Sequence, residues 1–215
     1  MVMPPPEMPA ALAAKKIDAF IVAEPFNALG ELKAGGQVMR FTGDIWKNHP
    51  CCVVCLHEEQ TIKKPIWTQK VMNAVVRANV YASKNKAEVA ELLSKDGKGY
   101  LPMPAAVVKR AMTHYGTEDY TVTRANRNAA EWKNGRIDFQ PWPYPSATKF
   151  MVDWMNKTVV GGDNSFLDGL DREMVAKDLV DYDFVKKSCE KYPEWKDDPS
   201  VNPTDPYDRE EVIAI

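Results

Sequence analysis

The sequence predicts an α/β fold in which strands come first and helices follow. Three apolar segments, 17–23, 37–42 and 51–57, have the length and composition of strands and are bounded by Gly, Pro or Asn. Apolar residues at helical spacing dominate from Pro65 onward. Strands in the first part of a chain and helices in the rest predict a sheet with helices packed around it and a helical region after it.

The first strand and its helix form one predicted unit. Residues 17–23 are apolar apart from Asp18 and partly β-branched, which is typical of a central strand buried on both faces. Pro25 ends that strand. A helix is predicted from about Pro25 to Lys33, and Gly35 after it is a C-cap signal.

The remaining elements follow in order. Segment 37–42 is the second strand, and segment 51–57, entered through His49-Pro50, is the third. A long helix is predicted after Pro65, and its core stripe consists of Trp67, Val71, Ala74, Val75, Ala78 and Tyr81. Further helices are predicted from Asn85 to Leu93, after Pro104, after Ser146, from Arg172 to Val180 and from Phe184 to Lys191. The Pro- and Asp-rich tail, 197–215, is expected to be loosely held.

Charge and hydropathy argue against several classes of protein. A net charge of -2 and a pI near 6.0 leave no basic footprint for nucleic acid. No apolar run approaches the roughly 20 residues that a membrane-spanning helix needs. The N-terminus has neither the basic start nor the apolar core of a signal peptide.

Polar side chains cluster where the predicted strands end. Ligands of open α/β sheets bind outside the carboxyl ends of the strands, so these residues are candidates for one wall of a ligand site. The candidate ligand-binding residues are Glu24, Asn27, Arg40, Thr42, Asp44 and Trp46.

Each candidate also has a purely structural interpretation. Glu24 suits the N-terminus of a helix as well as it suits a ligand. Arg40 offers a planar fork for an oxyanion, or is a surface arginine. Thr42 and Asp44 frame a Thr-Gly-Asp sequence that is also a turn signal, and Trp46 is equally suited to packing.

The cysteines and motifs predict neither metal nor catalysis. Strand alternation places Cys52 on the opposite face from Cys51 and Cys55, which defeats a compact tetrahedral site with His49 or His57 and suits small buried side chains instead. No nucleophile elbow, phosphate loop or pair of catalytic carboxylates is present. The chain is therefore predicted to be no enzyme, with no catalytic residue, metal or cofactor.

Several motifs together resemble a known family. They are Pro5-Pro6-Glu7-Met8, Lys16-Ile17-Asp18-Ala19-Phe20, Ala23-Glu24-Pro25-Phe26-Asn27 and Thr42-Gly43-Asp44-Ile45-Trp46 with His49-Pro50. In order and spacing they resemble the second half of a periplasmic solute-binding protein of ABC importers. The group is the nitrate, sulfonate, bicarbonate and taurine type, closest to its nitrate- and bicarbonate-binding branch.

The resemblance implies a two-lobed α/β fold of the periplasmic-binding-protein-like type II, here in partial form with a helical C-terminal extension. It assigns residues 1–47 to the remainder of lobe 2 and the hinge crossover, 48–116 to the C-terminal part of lobe 1, and 117–215 to the helical extension and tail. Because the N-terminal half of such proteins has no counterpart here, the chain is expected to be truncated, split or partial, and to supply one side of the site.

The function implied is capture of a small oxyanion or organosulfonate in an interlobe cleft, without chemistry. The implied partners are a small-molecule anion and the ABC permease subunits, and the implied location is the periplasm. Two alternatives remain open. One is an enzyme of thiamine-pyrimidine synthesis on the same fold, and the other is a remnant that binds nothing.

Overall fold

The computed structural model describes residues 2–132, 135–158 and 161–214, and within these ranges it is helical. The α-helices of the described ranges are α1 (Met8–Ala13), α2 (Phe26–Ala34), α3 (Glu58–Lys63), α4 (Pro65–Lys84), α5 (Lys86–Leu93), α6 (Ala105–Thr113), α7 (Glu118–Val122), α8 (Pro145–Met155), α9 (Arg172–Asp178) and α10 (Tyr182–Lys191). Short 3₁₀ helices add Pro5–Glu7, Thr42–Asp44, Ser165–Leu167 and Pro193–Asp197. Trp46 and Ile213 form an isolated antiparallel bridge.

The predicted α/β fold, with its type II two-lobed architecture, is wrong for this structure. Residues 17–23 and 51–57 have no regular secondary structure, and 37–42 has none before the 3₁₀ turn that starts at Thr42. The side chains of Ile21 and Met39 are each 81% exposed and that of Val53 is 75% exposed. An apolar, β-branched segment becomes a strand only when another strand pairs with its backbone. The described residues provide no such partner, so these segments stay extended and uncovered.

Several helices lie where the sequence predicts them. Helix α2 ends at Gly35, which has a φ of 63° and therefore takes the left-handed conformation predicted for the C-cap. Helix α6 follows Pro104, and its apolar stripe, including Val107, Val108 and Ala111, is buried. Local sequence signals therefore place these helices correctly.

Helix α4 is present, but its predicted core stripe is wrong. Trp67 and Tyr81 are 47% and 46% exposed, whereas Thr68 and Val76 are fully buried. The Thr68 hydroxyl donates a hydrogen bond to the Gln60 carbonyl at 3.0 Å, which satisfies its polar group inside the protein. The buried face of α4 therefore differs from the predicted stripe and includes a threonine whose hydroxyl is hydrogen-bonded.

The chain divides into two compact units. The first unit comprises Met1–Cys51, Ala82–Asp138 and Ile213–Ile215. In it α1 packs against α2, and α6 packs against both α2 and α5. A Cβ added at Gly30 of α2 would lie 2.9 Å from Phe20 Cζ, so a larger residue at this position would require the Phe20 ring to move.

The second unit comprises Cys52–Tyr81 and Phe139–Val212. In it α8 packs against α9. The Gln69 side-chain amide donates hydrogen bonds to the Phe184 carbonyl at 3.1 Å and to the Ser188 hydroxyl at 2.9 Å, which ties α4 to α10. None of the described helices, in either unit, is both long and apolar enough to cross a membrane.

The tail of the second unit is held firmly, contrary to the prediction. The Trp142 indole N–H donates to the Tyr207 carbonyl at 3.1 Å. Arg209 lies 4.3 Å above the Tyr144 ring and pairs with Glu211 at 3.0 Å. Aromatic side chains from the Pro-rich connection therefore fix a tail whose composition alone predicts disorder. The division into 1–47, 48–116 and 117–215 refers to lobes of a longer protein and stays a prediction.

Candidate functional site

The candidate site is built on a 3₁₀ turn, Thr42–Asp44, in the first unit. The Thr42 carbonyl accepts hydrogen bonds from the backbone N–H groups of Ile45 (3.1 Å) and Trp46 (2.8 Å). The Phe41 N–H donates to the Ala125 carbonyl at 3.2 Å. This bond joins the turn to a loop, residues 125–128, that is distant in sequence.

Asp44 is the buried anchor of that junction, with no exposed surface. Its carboxylate accepts hydrogen bonds from the backbone N–H groups of Arg127 (2.9 Å) and Asn128 (2.7 Å). It also pairs with Arg40, whose Nη2 lies 2.9 Å from Oδ2. Because a buried carboxylate is tolerated only where donors surround it, these three contacts explain how Asp44 is accommodated.

Arg40 and Asn126 bring unpaired polar atoms to the same junction. Arg40 is held through Nη2 alone, and its Nε and Nη1 are buried without a hydrogen bond to any described residue. Asn126, which lies between two loop residues that bond to the turn, is 2% exposed. Its Nδ2 and Oδ1 likewise have no partner within the described ranges. Buried polar atoms without partners are rare in folded proteins, so four such atoms on two residues of one junction point to a ligand or water.

Tyr115 borders this junction. Burial, followed by the negative charge of Asp44, raises the pKa of Tyr115 to about 12, against the opposing charge of Arg40. Its phenol is therefore protonated at neutral pH and can donate a hydrogen bond. We define the Arg40 cluster as Arg40, Asp44, Tyr115 and Asn126.

A second polar group, the Arg136 network, lies in the same unit and consists of Glu24, Glu31, Arg110, Tyr120 and Arg136. The Arg136 side chain is fully buried. Its Nε donates to Glu24 at 2.6 Å, its Nη2 to Glu31 at 2.8 Å and its Nη1 to the Tyr120 hydroxyl at 2.7 Å. Every nitrogen of this guanidinium is thus used within the protein, which suits a structural role.

Two carboxylates of the network have opposite pKa shifts. Burial raises the pKa of Glu24, although Arg136 opposes the shift. Burial also acts on Glu31, but hydrogen bonds from Arg110 and Tyr120 and the charge of Arg136 outweigh it and lower the pKa. Glu31 therefore favours its charged form, with Arg110 Nη2 at 3.0 Å as one donor.

A surface cleft of about 270 Å³ opens beside the network. Its lining includes Glu31, Gln37, Arg110, Asp119 and Tyr120. The Asp119 carboxylate accepts hydrogen bonds from Thr117 and His114, which lower its pKa to about 2. With two carboxylates against one guanidinium, the cleft is a poor receptor for an anion. The Arg40 cluster is the better one.

The structure brings four of the six predicted site residues to the 3₁₀ turn, namely Arg40, Thr42, Asp44 and Trp46. Glu24 joins the Arg136 network and also accepts from the Ala28 N–H at 3.2 Å, the helix-terminal role. Asn27 donates to the Val22 carbonyl at 2.6 Å.

Trp46, the sixth predicted residue, stacks edge-on against His49 with ring centroids 5.1 Å apart. Burial lowers the pKa of His49, so the imidazole beside Trp46 is neutral at pH 7. The two polar groups meet at Phe41, whose ring lies 5.3 Å from that of Tyr115 and 4.9 Å from that of Tyr120.

Sequence reasoning missed Asn126, Tyr120 and Arg136. They lie far along the chain from the 3₁₀ turn and in no motif, and only the fold brings them to it. It also misjudged the cysteines, because Cys51, Cys52 and Cys55 are exposed and Cys189 is the buried one. In the described part of the chain, no three His, Cys, Asp or Glu side chains are grouped so as to hold a metal ion.

Similarity to known proteins agrees with the resemblance noted in the motifs. Residues 1–94 match the NMT1-like family. The nitrate/nitrite binding protein NrtA of Nostoc sp. is 30% identical over 146 residues, which cover 67% of this chain and 32% of NrtA. NrtA of Synechococcus elongatus is 31% identical over 98 residues, which cover 45% of this chain and 22% of that protein.

A transport ATP-binding protein is also similar to this chain. The bicarbonate transport ATP-binding protein CmpC of Synechocystis sp. is 31% identical over 94 residues, which cover 43% of this chain and 14% of CmpC. No solved structure matches the chain. The predicted relation to nitrate-binding proteins of ABC transporters is therefore confirmed, and the chain spans about a third or less of the length of these relatives. The NrtA relatives are named as binding proteins rather than as enzymes.

Proposed function

We propose that this chain is a solute-binding component of an ABC importer and captures a small oxyanion without chemical change. The observation that carries the proposal is the Arg40 guanidinium, whose Nε and Nη1 are buried without a hydrogen-bond partner among the described residues. A guanidinium is planar, permanently charged and weakly hydrated, which suits a planar oxyanion such as nitrate or bicarbonate. The similarity to NrtA supports the same class of ligand.

The surroundings of Arg40 support anion binding in preference to a purely structural role. Asp44 offsets the charge of Arg40, but the same carboxylate is also held by two backbone N–H groups. The protonated phenol of Tyr115 supplies another donor nearby. In a site of low dielectric, donors fixed in advance bind a charged ligand with little reorganisation.

The predicted roles of the other residues remain part of this proposal. Thr42 and Trp46 would shape the wall of the site from the turn, whereas Glu24 and Asn27 would act indirectly by holding the chain before and within α2. The proposed partners are the permease subunits of an importer, and the proposed location is the periplasm. The similarity to NrtA and CmpC supports a transport system as partner, and the proposed location rests on the family resemblance of the motifs.

Isothermal titration calorimetry of the purified chain tests the proposal. Titration with nitrate, bicarbonate, taurine and an alkylsulfonate is expected to give saturable heat with at least one of them. The variant Arg40→Lys keeps the charge but loses the planar fork, and its affinity is expected to fall roughly tenfold or more.

Arg77→Lys is the matched control, because Arg77 is exposed on α4 in the second unit. It is expected to bind like the unmodified chain. No saturable heat with any of the four anions, from protein that circular dichroism shows to be helical, would overturn the proposal in favour of a remnant that binds nothing.

A further inference from the structure

Asn126 offers two kinds of hydrogen bond where Arg40 offers one. Its Nδ2 is a donor and its Oδ1 an acceptor, and neither has a partner among the described residues. Asn126 as a whole is only 2% exposed. Because both ends of the amide are unpaired, the conclusion does not depend on which way the amide is turned.

The backbone holds Asn126 at the turn that carries Arg40. The preceding residue, Ala125, accepts from the Phe41 N–H at 3.2 Å, and the following residue, Arg127, donates to Asp44 at 2.9 Å. The Asn126 N–H itself donates to the Tyr120 carbonyl at 3.2 Å. With bonds on both sides and its own N–H used, the loop has little freedom to carry Asn126 away from the Arg40 cluster.

We propose that Asn126 determines the specificity of the oxyanion site, which prefers an anion that carries an O–H group over nitrate, which carries none. Arg40 and the Asn126 Nδ2 donate to oxygens of the anion, and the Asn126 Oδ1 accepts the hydrogen bond from its hydroxyl. This inference rests on the proposed function. It adds a ligand chemistry that an arginine alone cannot select.

The preference has a physical cause in the cost of an unpaired acceptor. Nitrate presents acceptors only, so with nitrate bound the Asn126 Oδ1 would stay buried without a partner. Sites built to pair with a substrate hydroxyl reject analogues that lack it, by far more than a lost apolar contact would. Bicarbonate matches nitrate in charge and planarity and differs by having the proton.

Calorimetric titration with sodium bicarbonate and sodium nitrate at the same pH and ionic strength tests the inference. The chain is expected to bind bicarbonate at least about tenfold more tightly than nitrate. In Asn126→Leu, which keeps the approximate shape and removes both polar ends, the ratio of the two dissociation constants is expected to fall to about one. The control Asn164→Leu changes an exposed residue of the second unit and is expected to keep the original ratio.

Two outcomes overturn the inference while leaving the proposed function standing. One is equal affinity of the unmodified chain for the two anions, as expected if Asn126 binds only a water. The other is an Asn126 variant that weakens both anions by the same factor. Asn126→Ser provides a second variant should the Leu variant fail to fold, and it is expected to lose the preference because its hydroxyl is too short. Binding of taurine or the alkylsulfonate but of neither bicarbonate nor nitrate also overturns the inference, whereas binding of none of the four anions overturns the proposed function itself.

Discussion

At the scale of single residues, Asp44 is the side chain on which the candidate site depends most. It joins Arg40 to the backbone of Arg127 and Asn128, and it has no contact with water. Removing one member of a buried ion pair leaves the other charge uncompensated, which costs far more than losing an exposed pair.

The substitution Asp44→Asn is therefore expected to lower the free energy of unfolding by about 3–5 kcal/mol. The new amide would also turn donors toward N–H groups that need an acceptor. Urea denaturation followed by circular dichroism measures the change. Asp168→Asn, on an exposed aspartate, is the control and is expected to stay within about 0.5 kcal/mol of the unmodified chain. A loss of similar size in both variants would contradict the account of Asp44.

Glu31 makes the free energy of unfolding depend on pH. Its pKa is lower in the folded chain than the ordinary value of 4.5, because Arg110, Tyr120 and Arg136 favour the carboxylate. The unfolded chain therefore binds a proton more readily. The stability that Glu31 contributes is present above pH 4.5 and is lost as the pH falls through the folded value. Glu24, whose pKa is raised by burial, acts in the opposite direction.

The expected result is a smaller loss of stability on acidification in Glu31→Gln than in the unmodified chain. Chemical denaturation at a series of pH values from 7 to about 3.5 gives the two curves. Glu210→Gln serves as the control for an exposed carboxylate. Parallel curves for the unmodified chain and Glu31→Gln would show that the network does not hold Glu31 in its charged form.

The polar residues of the turn illustrate what can be predicted at this scale. Arg40, Thr42 and Asp44 stand out in the sequence because they are polar at the end of an apolar segment, and the fold places them together. Asn126 carries no such signal. A buried asparagine becomes informative only when its unpaired atoms are known, and those depend on the folded environment.

At the scale of elements, helices are predicted better than strands. The signals for α2 and α6 are local, namely a glycine cap and an apolar stripe after proline, and both helices form as expected. A strand depends on a partner that the segment itself does not encode. The three predicted strands have the right period and composition, and they lack neighbours in the described chain.

The extended segment 51–57 gives a direct test at this scale. Cys51, Cys52 and Cys55 are exposed, whereas Cys189 is fully buried and burial raises its pKa to about 12. Because the thiolate is the reactive form and access is required, the three exposed thiols are expected to react with a disulfide reagent at pH 8 much faster than Cys189.

Mass spectrometry after a short exposure identifies the modified positions. Reaction in denaturant is the control, and there all four thiols are expected to be modified. Cys189→Ala is expected to leave the number of fast thiols unchanged. Protection of Cys51 and Cys55 in the folded chain would contradict the exposed segment and favour the buried strand that the sequence predicts.

At the scale of the whole molecule, composition and motifs predict class better than architecture. The order and spacing of short motifs indicate the nitrate-binding relatives correctly, and one of these relatives is 30% identical over 146 residues. Architecture does not follow from it here, since the described chain is helical and its match covers about a third of the relative. The family resemblance therefore indicates the relatives of this chain and does not determine its fold.

Ligand binding also has consequences for the whole molecule. A ligand that binds only the folded state stabilises it in proportion to the logarithm of its concentration over the dissociation constant. The bound ligand suppresses local unfolding most strongly in the segments that it contacts. Amide hydrogen exchange measures this local unfolding segment by segment. Exchange thus locates an oxyanion as well as detecting it.

The most direct test of the central claim is hydrogen exchange followed by mass spectrometry, with and without saturating bicarbonate. An oxyanion held by Arg40 and Asn126 is expected to slow exchange in peptides covering 40–46 and 125–128, and to leave those from α10 (Tyr182–Lys191) unchanged. Protection confined to other segments, or none in either of these two, would contradict the placement of the site at the Arg40 cluster.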